Sequence, residues 1–204
     1  MLFGEVLFDH FPDGSRALGG APFNVAWHLK GLGSDPLLLT TVGEDPPGEA
    51  VVGEMREWGL STAGVQRDGT RPTGRAEVAL GGAGPGFRIP EDQAWDHIRA
   101  DAGRAAVRGE SVGLVYHGTL ALRTAGARQA LSTVIHASEA PVFVDVNLRD
   151  PWWTLETVEE AAAAATWVKL NAQELHILSG LKTGTEEECR AAAHAWARQR
   201  GVPN

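Results

Sequence analysis

The chain has 204 residues, 43% of them hydrophobic and 22% charged, which are values typical of one globular domain with a substantial core. Its formal net charge is −8, and its 18 Lys and Arg residues form no run, which argues against a nucleic-acid-binding surface. The single cysteine, Cys189, cannot form an internal disulfide, so a reducing cytoplasm is the expected compartment. The first residues contain neither a basic segment nor a long apolar stretch, and we therefore predict neither a signal peptide nor a membrane anchor.

The first predicted element is a buried strand over residues 1–8, where apolar residues are nearly continuous. Asp9 follows at the expected end of this strand. Open α/β sheets bind ligands at the carboxyl ends of their strands, so Asp9 is a candidate binding residue. The alternative interpretation is a turn residue ahead of Pro12.

A glycine-rich segment, Gly19-Gly20, leads into a predicted helix that ends at Gly33 and has apolar positions at Val25, Ala26, Leu29 and Leu32. Two glycines let the backbone approach a ligand closely because no Cβ blocks the way. Asn24 lies in the predicted first turn, where its amide can both donate to and accept from sugar hydroxyls. An ordinary turn before a helix is the alternative.

The next elements are a buried strand over 35–42 and a helix whose first turn contains Pro46 and Pro47 and which ends at Trp58-Gly59. Alternating residues at 75–80 and a return at 87–89 predict a β-hairpin. The glycine cluster at 81–86 lies between them. It does not fit the dinucleotide pattern G-x-G-x-x-G and no helix follows it, so the sequence favours a solvent-facing hairpin over a phosphate loop.

From residue 112 onward, predicted strands and helices alternate. The strands cover 112–116, 142–147 and 167–170, and the helices begin at Thr124, Thr154, Asn171 and Thr185. This alternation is typical of an α/β fold in which a doubly wound parallel sheet has helices on both faces. Another strand is due after Asn204, and we therefore expect the chain to be a fragment of a larger fold.

Taken together, the polar residues at strand ends and helix starts resemble those of the ribokinase-like (PfkB) carbohydrate kinases over nearly the whole chain. Segments 4–9 and 19–26 look like the signature of the fructokinase-like branch, and matching elements follow in family order at 42–48, 73–74, 94–96, 117–123, 145–149 and 169–174. The resemblance implies a ribokinase-like sheet with a small β lid formed by segments at about 10–20 and 63–90. Residues 1–204 would be the first two thirds of that kinase domain.

The resemblance implies ATP-dependent phosphorylation of a sugar hydroxyl, with fructose or a related ketose as the leading substrate. The implied sugar-binding residues are Asp9, Gly19, Gly20, Asn24 and Arg75. Asp9 would accept hydrogen bonds from sugar hydroxyls, and Arg75 would reach inward from the lid. For Arg75 the alternative is an exposed arginine on a surface hairpin.

The implied nucleotide and phosphate site comprises Arg149, Lys169, Asn171 and Glu174. Glu174 would organise the Mg²⁺ that accompanies ATP through water, because Mg²⁺ keeps several waters and takes few direct protein ligands. The alternative for Asn171 and Glu174 is a helix cap with a first-turn glutamate. Arg149 could instead pair with a surface carboxylate.

The family's late Gly-Ala-Gly-Asp-type motif, which supplies the general base, has no match in the chain. No catalytic residue is therefore assigned, the base is expected beyond Asn204, and the chain alone is expected to be inactive. A non-catalytic sugar-binding or regulatory module and a nucleoside or 2-keto-3-deoxygluconate kinase of the same family remain alternatives. Lid strands can form dimer contacts in this family, so a homodimer is a further expectation, whereas nucleic-acid and membrane partners are not expected.

Overall fold

The structure is a computed structural model that describes residues 1–81, 84–107 and 111–203, with the backbone alone described at 80, 81, 84, 85, 104, 106 and 107. Within these residues the strands are Leu2–Phe3 (β1), Leu7–His10 (β2), Arg16–Gly19 (β3), Leu38–Gly43 (β4), Val65–Asp68 (β5), Gly74–Gly81 (β6), Gly84–Arg88 (β7), Val115–Gly118 (β8), Val142–Asp145 (β9) and Trp167–Lys169 (β10). The helices are Ala21–Gly31 (α1), Pro46–Glu57 (α2), Ala100–Val107 (α3), Ala125–Ser138 (α4), Leu155–Ala163 (α5), Ala172–Ser179 (α6) and Glu186–Gln199 (α7). Two short 3₁₀ helices cover Ala94–His97 and Leu120–Arg123.

The main sheet has six strands in the order β10-β9-β8-β1-β4-β5, and every pairing in it is parallel. Successive residues of a strand point to opposite faces of the sheet. Accordingly Leu2 and Leu38 belong to one buried cluster, while their neighbours Phe3 and Leu39 belong to another. The first cluster packs against α1 and α2, and the second against α4, α5 and α7. The predicted doubly wound arrangement is confirmed.

Local capping decides where several helices begin. The side chains of Thr154, Asn171 and Thr185 each accept a hydrogen bond from the backbone N–H three residues ahead, as predicted for all three helix starts. Helix α1 differs from its prediction at its far end, because Leu32 is 82% exposed and lies outside the apolar face. None of the helices in the described part of the chain has the length and apolar character needed to cross a bilayer.

The predicted first strand is wrong in one respect, because the chain divides it between two sheets. Strand β1 ends at Phe3, and after residues 4–6 strand β2 enters a second, four-stranded sheet in the order β3-β2-β6-β7. The break falls at Gly4, whose φ of 143° is outside the extended region and whose absent Cβ would lie 2.7 Å from Cγ of Pro22. Continuous hydrophobicity in the sequence cannot distinguish one buried strand from two.

The second sheet also differs from the predicted lid segments at both of their starts. It begins at Leu7 rather than near residue 10, and its third strand begins at Gly74 rather than near residue 63. Residues 65–68 pair with β4 and so belong to the main sheet. The predicted hairpin is present as β6 and β7, with longer strands than expected; residues 82 and 83 of its glycine-rich loop lie outside the described residues.

Candidate functional site

The second sheet extends from the carboxyl end of β1, and this junction brings two predicted sugar-binding elements together. Strands β2 and β3 are antiparallel neighbours, with Asp9 opposite Ala17. A Cβ placed on Gly19 would lie 3.0 Å from Oδ2 of Asp9, so the carboxylate lies against the glycine backbone. Asp9 is half-buried, and burial raises its pKa while the positive charge of Arg149 lowers it.

Gly20 is the N-cap of α1 and makes a close backbone approach in this junction. Its φ is 107°, and a Cβ there would lie 2.6 Å from the carbonyl oxygen of Glu5. The helix has no side-chain cap from Gly20; instead Oε1 of Glu5 accepts the N–H of Ala21 at 3.2 Å. A carboxylate at a helix N-terminus is favoured by the helix dipole.

Glu5 is itself unusual, because its side chain is 3% exposed and Oε2 has no hydrogen-bond partner among the described residues. Burial raises its pKa to about 7, although the backbone hydrogen bonds and the charges of Arg123 and Arg149 oppose the rise. The carboxyl group therefore titrates close to neutral pH. Sequence reasoning assigned it no role, although a single charged residue in the apolar run 1–8 was a signal for a buried carboxylate.

The other two predicted sugar-binding side chains, those of Asn24 and Arg75, are both exposed. Asn24 lies in the first turn of α1 as predicted, and its backbone N–H donates to the carbonyl of Gly20 at 2.8 Å. Arg75 lies on β6 beside Phe8 of β2, and its backbone N–H donates to the side chain of Gln93. Their side chains are free to meet a ligand in the described structure, where they form no hydrogen bonds to other described residues.

Arg149 follows β9 and lies beside the second sheet. Its guanidinium carbon is 4.8 Å from the ring centre of Phe87 on β7, a distance at which a cation is attracted to an aromatic face. Burial raises the pKa of both Asp9 and Glu5, and the charge of Arg149 opposes this rise. The charge of Arg149 therefore acts on Asp9, the predicted sugar-binding carboxylate. Arg149 also lies in the loop that precedes the predicted phosphate site.

Lys169 lies at the carboxyl end of β10 and is bound by a neighbouring strand. Its Nζ donates to Oδ1 of Asp145 at 2.6 Å, and the hydroxyl of Tyr116 donates to Oδ2 of the same carboxylate at 3.0 Å. Side chains from three adjacent strands, β8, β9 and β10, thus form one hydrogen-bonded group. Burial and the Asp145 charge raise the pKa of Tyr116 well above its usual range, so its hydroxyl stays protonated.

Asn171 and Glu174 form a reciprocal capping box at the start of α6. Oδ1 of Asn171 accepts the N–H of Glu174 at 2.9 Å, and Oε2 of Glu174 accepts the N–H of Asn171 at 2.8 Å. Oε1 of Glu174 also accepts a hydrogen bond from the backbone N–H of Leu148, with 3.4 Å between nitrogen and oxygen. The buried glutamate therefore joins α6 to the loop that carries Arg149.

This arrangement bears on the predicted Mg²⁺ site. Each Glu174 oxygen accepts one N–H and retains a second lone pair for a water molecule. Among the residues whose side chains are described, no three His, Cys, Asp or Glu side chains are grouped so that they could hold a metal ion. Glu174 thus fits contact with Mg²⁺ through water and does not fit a ready-made direct coordination site.

A buried ion pair supports the floor of the junction. The guanidinium of Arg123 donates two hydrogen bonds to the carboxylate of Asp96, both at 2.6 Å, and lies 4.2 Å from the ring centre of Trp95 and 4.5 Å from that of Trp152. Arg123 also donates to the carbonyl of Pro90 at 2.7 Å. These contacts join both 3₁₀ helices to the loop after β9. Arg123 is the last residue of the 117–123 motif, whose sequence indicated no individual role for it.

A second polar cluster fixes the start of β6 to the main sheet. Oδ2 of Asp45 accepts the N–H of Thr73 at 2.8 Å, and Oδ1 accepts the N–H of Gly48 at 2.8 Å. The hydroxyl of Thr73 donates to Asp45 at 2.5 Å and accepts the N–H of Gly43 at 2.9 Å. Strand β6, which carries Arg75, is therefore attached to the carboxyl end of β4 and to the start of α2.

A known protein family matches the chain across the elements described above. The sequence pattern described as "pfkB family carbohydrate kinase" matches residues 5–201. The chain belongs to the pfkB family of carbohydrate kinases. This match includes the Glu5–Gly20 junction, the Asp145–Lys169 pair and the capping box of α6.

Individual relatives in the pfkB family are sugar kinases by name. The putative sugar kinase PH1459 of Pyrococcus horikoshii is 30% identical over 165 residues, which cover 77% of this chain and 53% of that protein. The probable fructokinase-4 of Arabidopsis thaliana is 26% identical over 219 residues, covering 95% of this chain and 65% of that protein. The chain thus spans between about half and two thirds of the length of these relatives.

The crystal structure of PH1459 in complex with ATP supports the fold directly. It superposes with a TM-score of 0.80 at 27% sequence identity and covers 89% of this chain and 66% of that chain. The ribokinase-like α/β fold implied by the sequence resemblance is confirmed by this match. The distances and contacts given above for the predicted site residues are those of this chain's own structure.

Proposed function

We propose that this chain is part of an ATP-dependent sugar kinase, with fructose or a related ketose as the substrate and a terminal hydroxyl as the phosphoryl acceptor. The observation that carries the proposal is the contact between Asp9 and Gly19 at the start of α1. It presents a half-buried carboxylate against a glycine backbone, and the exposed Asn24 follows in the first turn of α1. The fructokinase names of pfkB relatives support the choice of sugar.

The chemistry of this junction suits a polyhydroxylated ligand. A carboxylate accepts hydrogen bonds from two neighbouring hydroxyls, and an amide both donates and accepts. Arg149 adds a positive charge close to Asp9, which favours the ionised carboxylate. A ligand that lacks one of the hydroxyls leaves a polar group without a partner, and this is the physical basis for sugar selectivity.

The same proposal assigns ATP and Mg²⁺ to the carboxyl ends of β9 and β10. Arg149, Lys169 and Asn171 lie along this edge with Glu174, and Arg149 and Lys169 carry the positive charges that phosphate oxygens require. Lys169 is 59% exposed, so it can exchange its contact with Asp145 for a phosphate. Glu174 would contact Mg²⁺ through water. The ATP bound in the PH1459 structure supports the choice of nucleotide.

The proposal is tested by titrating the 204-residue chain with sugars and recording the fluorescence of its seven tryptophans. We expect saturable binding of fructose, and Asp9→Asn should weaken it at least about tenfold because a charged hydrogen bond is lost. Asp13→Asn is the matched control, since Asp13 is exposed in the same β2–β3 hairpin and bonds only to Ser15. Equal affinities of the two variants, or tighter binding of adenosine or 2-keto-3-deoxygluconate than of fructose, would overturn the assignment.

Catalysis is a separate part of the proposal. Because the chain has no match to the motif that supplies the general base, we expect no sugar-dependent ADP formation by the 204-residue chain. A coupled assay with fructose, ATP and Mg²⁺ measures this directly. Sugar-dependent turnover above the sugar-free rate would show that another carboxylate acts as the base.

A homodimer through the second sheet completes the proposal. In the described part of the chain β3 and β7 are its outer strands, and an outer strand can pair with a second copy of itself. Sedimentation equilibrium at several protein concentrations distinguishes the two states. A monomer at all concentrations would remove the dimer from the proposal and leave the sugar site unaffected.

A further inference from the structure

A cleft of about 250 Å³ lies between α4 and α5, on the face of the main sheet opposite α1 and α2. Its walls are apolar and are formed by Leu122, Leu131, Ile135, Ala161 and Ala164. The predicted sugar and phosphate residues do not line it. Its volume is larger than that of a packing defect and lies slightly below the roughly 300 Å³ at which small-molecule sites begin.

The floor of this cleft contains His117 of β8, whose side chain is only 1% exposed. Nδ1 of His117 lies 2.9 Å from the carbonyl oxygen of Gly118. A carbonyl oxygen can only accept, so Nδ1 carries the proton and Nε2 is the acceptor of the neutral ring. Burial lowers the pKa of His117 to about 4, and the ring is therefore neutral at pH 7.

Nε2 of His117 has no hydrogen-bond partner among the described residues. Because His117 lines the cleft, Nε2 can accept a hydrogen bond there from water or from a bound molecule. The lone pair of Nε2 favours a ligand group that carries an O–H or N–H, and the lining side chains of Arg128 and Glu160 carry opposite charges. The apolar walls favour a ring or another flat hydrocarbon surface.

We propose that the cleft binds a small, uncharged aromatic molecule that donates one hydrogen bond, from an O–H or N–H group, to Nε2 of His117. The ring contacts Leu131, Ile135 and Ala161, and the donor points to the floor. Arg128 and Glu160 lie at the mouth, where polar substituents of the ligand remain in water. The site is separate from the proposed sugar site, and its occupancy does not depend on kinase activity.

Phenol and anisole test the proposal, because the two molecules share a ring and only phenol has a donor. Each is titrated into the 204-residue chain while the ¹⁵N shift of His117 Nε2 is followed by NMR. We expect saturable binding of phenol with a shift of Nε2, and about three- to tenfold weaker binding of anisole without that shift. Equal affinities, or no saturable binding of phenol, would overturn the proposal.

Variants locate the binding to the cleft. Ala164→Leu narrows the mouth, and Ala163→Leu is the matched control because Ala163 is the exposed preceding residue of α5 and does not line the cleft. We expect Ala164→Leu to weaken phenol binding and Ala163→Leu to leave it unchanged. His117→Phe should abolish the preference for phenol over anisole. If that variant does not fold, the alanine pair still decides, since unchanged binding by Ala164→Leu would place phenol elsewhere.

Discussion

The guanidinium of Arg123 and the carboxylate of Asp96 form a two-point ion pair that is almost wholly buried, with 5% and 1% of the two side chains exposed. Trp95 and Trp152 contact the guanidinium, so the pair links residues from three separate segments of the chain. Removing one partner of such a pair leaves the other charge buried without compensation.

Arg123→Met should therefore lower the free energy of unfolding by about 3–5 kcal/mol, as measured by urea denaturation. Arg88→Met is the control. Arg88 pairs with Glu77 at 3.3 Å, but the two side chains are 84% and 45% exposed, so its loss should cost less than about 1 kcal/mol. Similar costs for the two variants would contradict the claim that Asp96 is left buried without a compensating charge.

The capping box of α6 should contribute more to stability than the one of α7. Glu174 and Glu188 each accept the N–H of their N-cap residue, but Glu174 is 5% exposed and also accepts the N–H of Leu148, whereas the Glu188 box is exposed. We expect Glu174→Ala to cost about 2–3 kcal/mol and Glu188→Ala about 1 kcal/mol in metal-free buffer. Equal losses would show that the Leu148 contact has no energetic weight.

The steric effect of a Cβ at Gly20 can be separated from the effect of its positive φ. Gly20 and Gly33 both have positive φ, but a Cβ on Gly20 meets the Glu5 carbonyl at 2.6 Å whereas a Cβ on Gly33 meets nothing within 4 Å. Gly33→Ala should cost about 1 kcal/mol, and Gly20→Ala more than about 3 kcal/mol. Thermal unfolding of both variants measures the difference, and equal melting temperatures would contradict the contact.

Glu5 and His117 should give opposite pH dependences of stability. The folded pKa of Glu5 is raised from 4.5 to about 7, so the folded state keeps a proton that the unfolded state has released, and the stabilisation falls as pH rises from 4.5 to 7. The folded pKa of His117 is lowered from 6.5 to about 4, so stability falls as pH drops from 6.5 to 4. Between pH 4.5 and 6.5 the two effects oppose each other.

Single variants reveal each effect. Relative to Glu5→Gln, the wild-type chain should lose about 2–3 kcal/mol of unfolding free energy from pH 4.5 to 7. Relative to His117→Phe it should gain a comparable amount from pH 4 to 6.5. Arg123 and Arg149 face Glu5, and Arg128, His136 and Glu160 line the cleft above His117, so salt should change the two slopes differently. Parallel curves for the wild type and either variant would contradict the corresponding pKa.

The sequence predicts most of the fold because its signals are local. Thr154 and Thr185 cap their helices within three residues, and the alternation of strands and helices after residue 112 leads to a parallel sheet. The division of 1–8 between two sheets depends instead on the contact of Gly4 with Pro22, which no local pattern contains. Local propensity was sufficient for the helix starts and insufficient for the junction.

The site was predictable to the extent that its residues lie near one another along the chain or follow parallel strands. Asp9 and Gly19 were identified together, and the structure brings them into contact. The pattern of Asn171 and Glu174 describes a capping box as well as a phosphate site, and the structure shows the capping box. Glu5 was not given a role because its partners come from distant segments, and a single sequence does not reveal such partners.

The cap of α1 has a consequence for the order in which the chain folds. Helices α6 and α7 carry their caps within three residues and can begin to form from local sequence alone. Helix α1 receives its cap from Glu5, 16 residues away, so a loop has to close before its first turn is fixed. We therefore expect α1 to be completed after α6 and α7, with its first turn assembled at the same step as the junction between the two sheets.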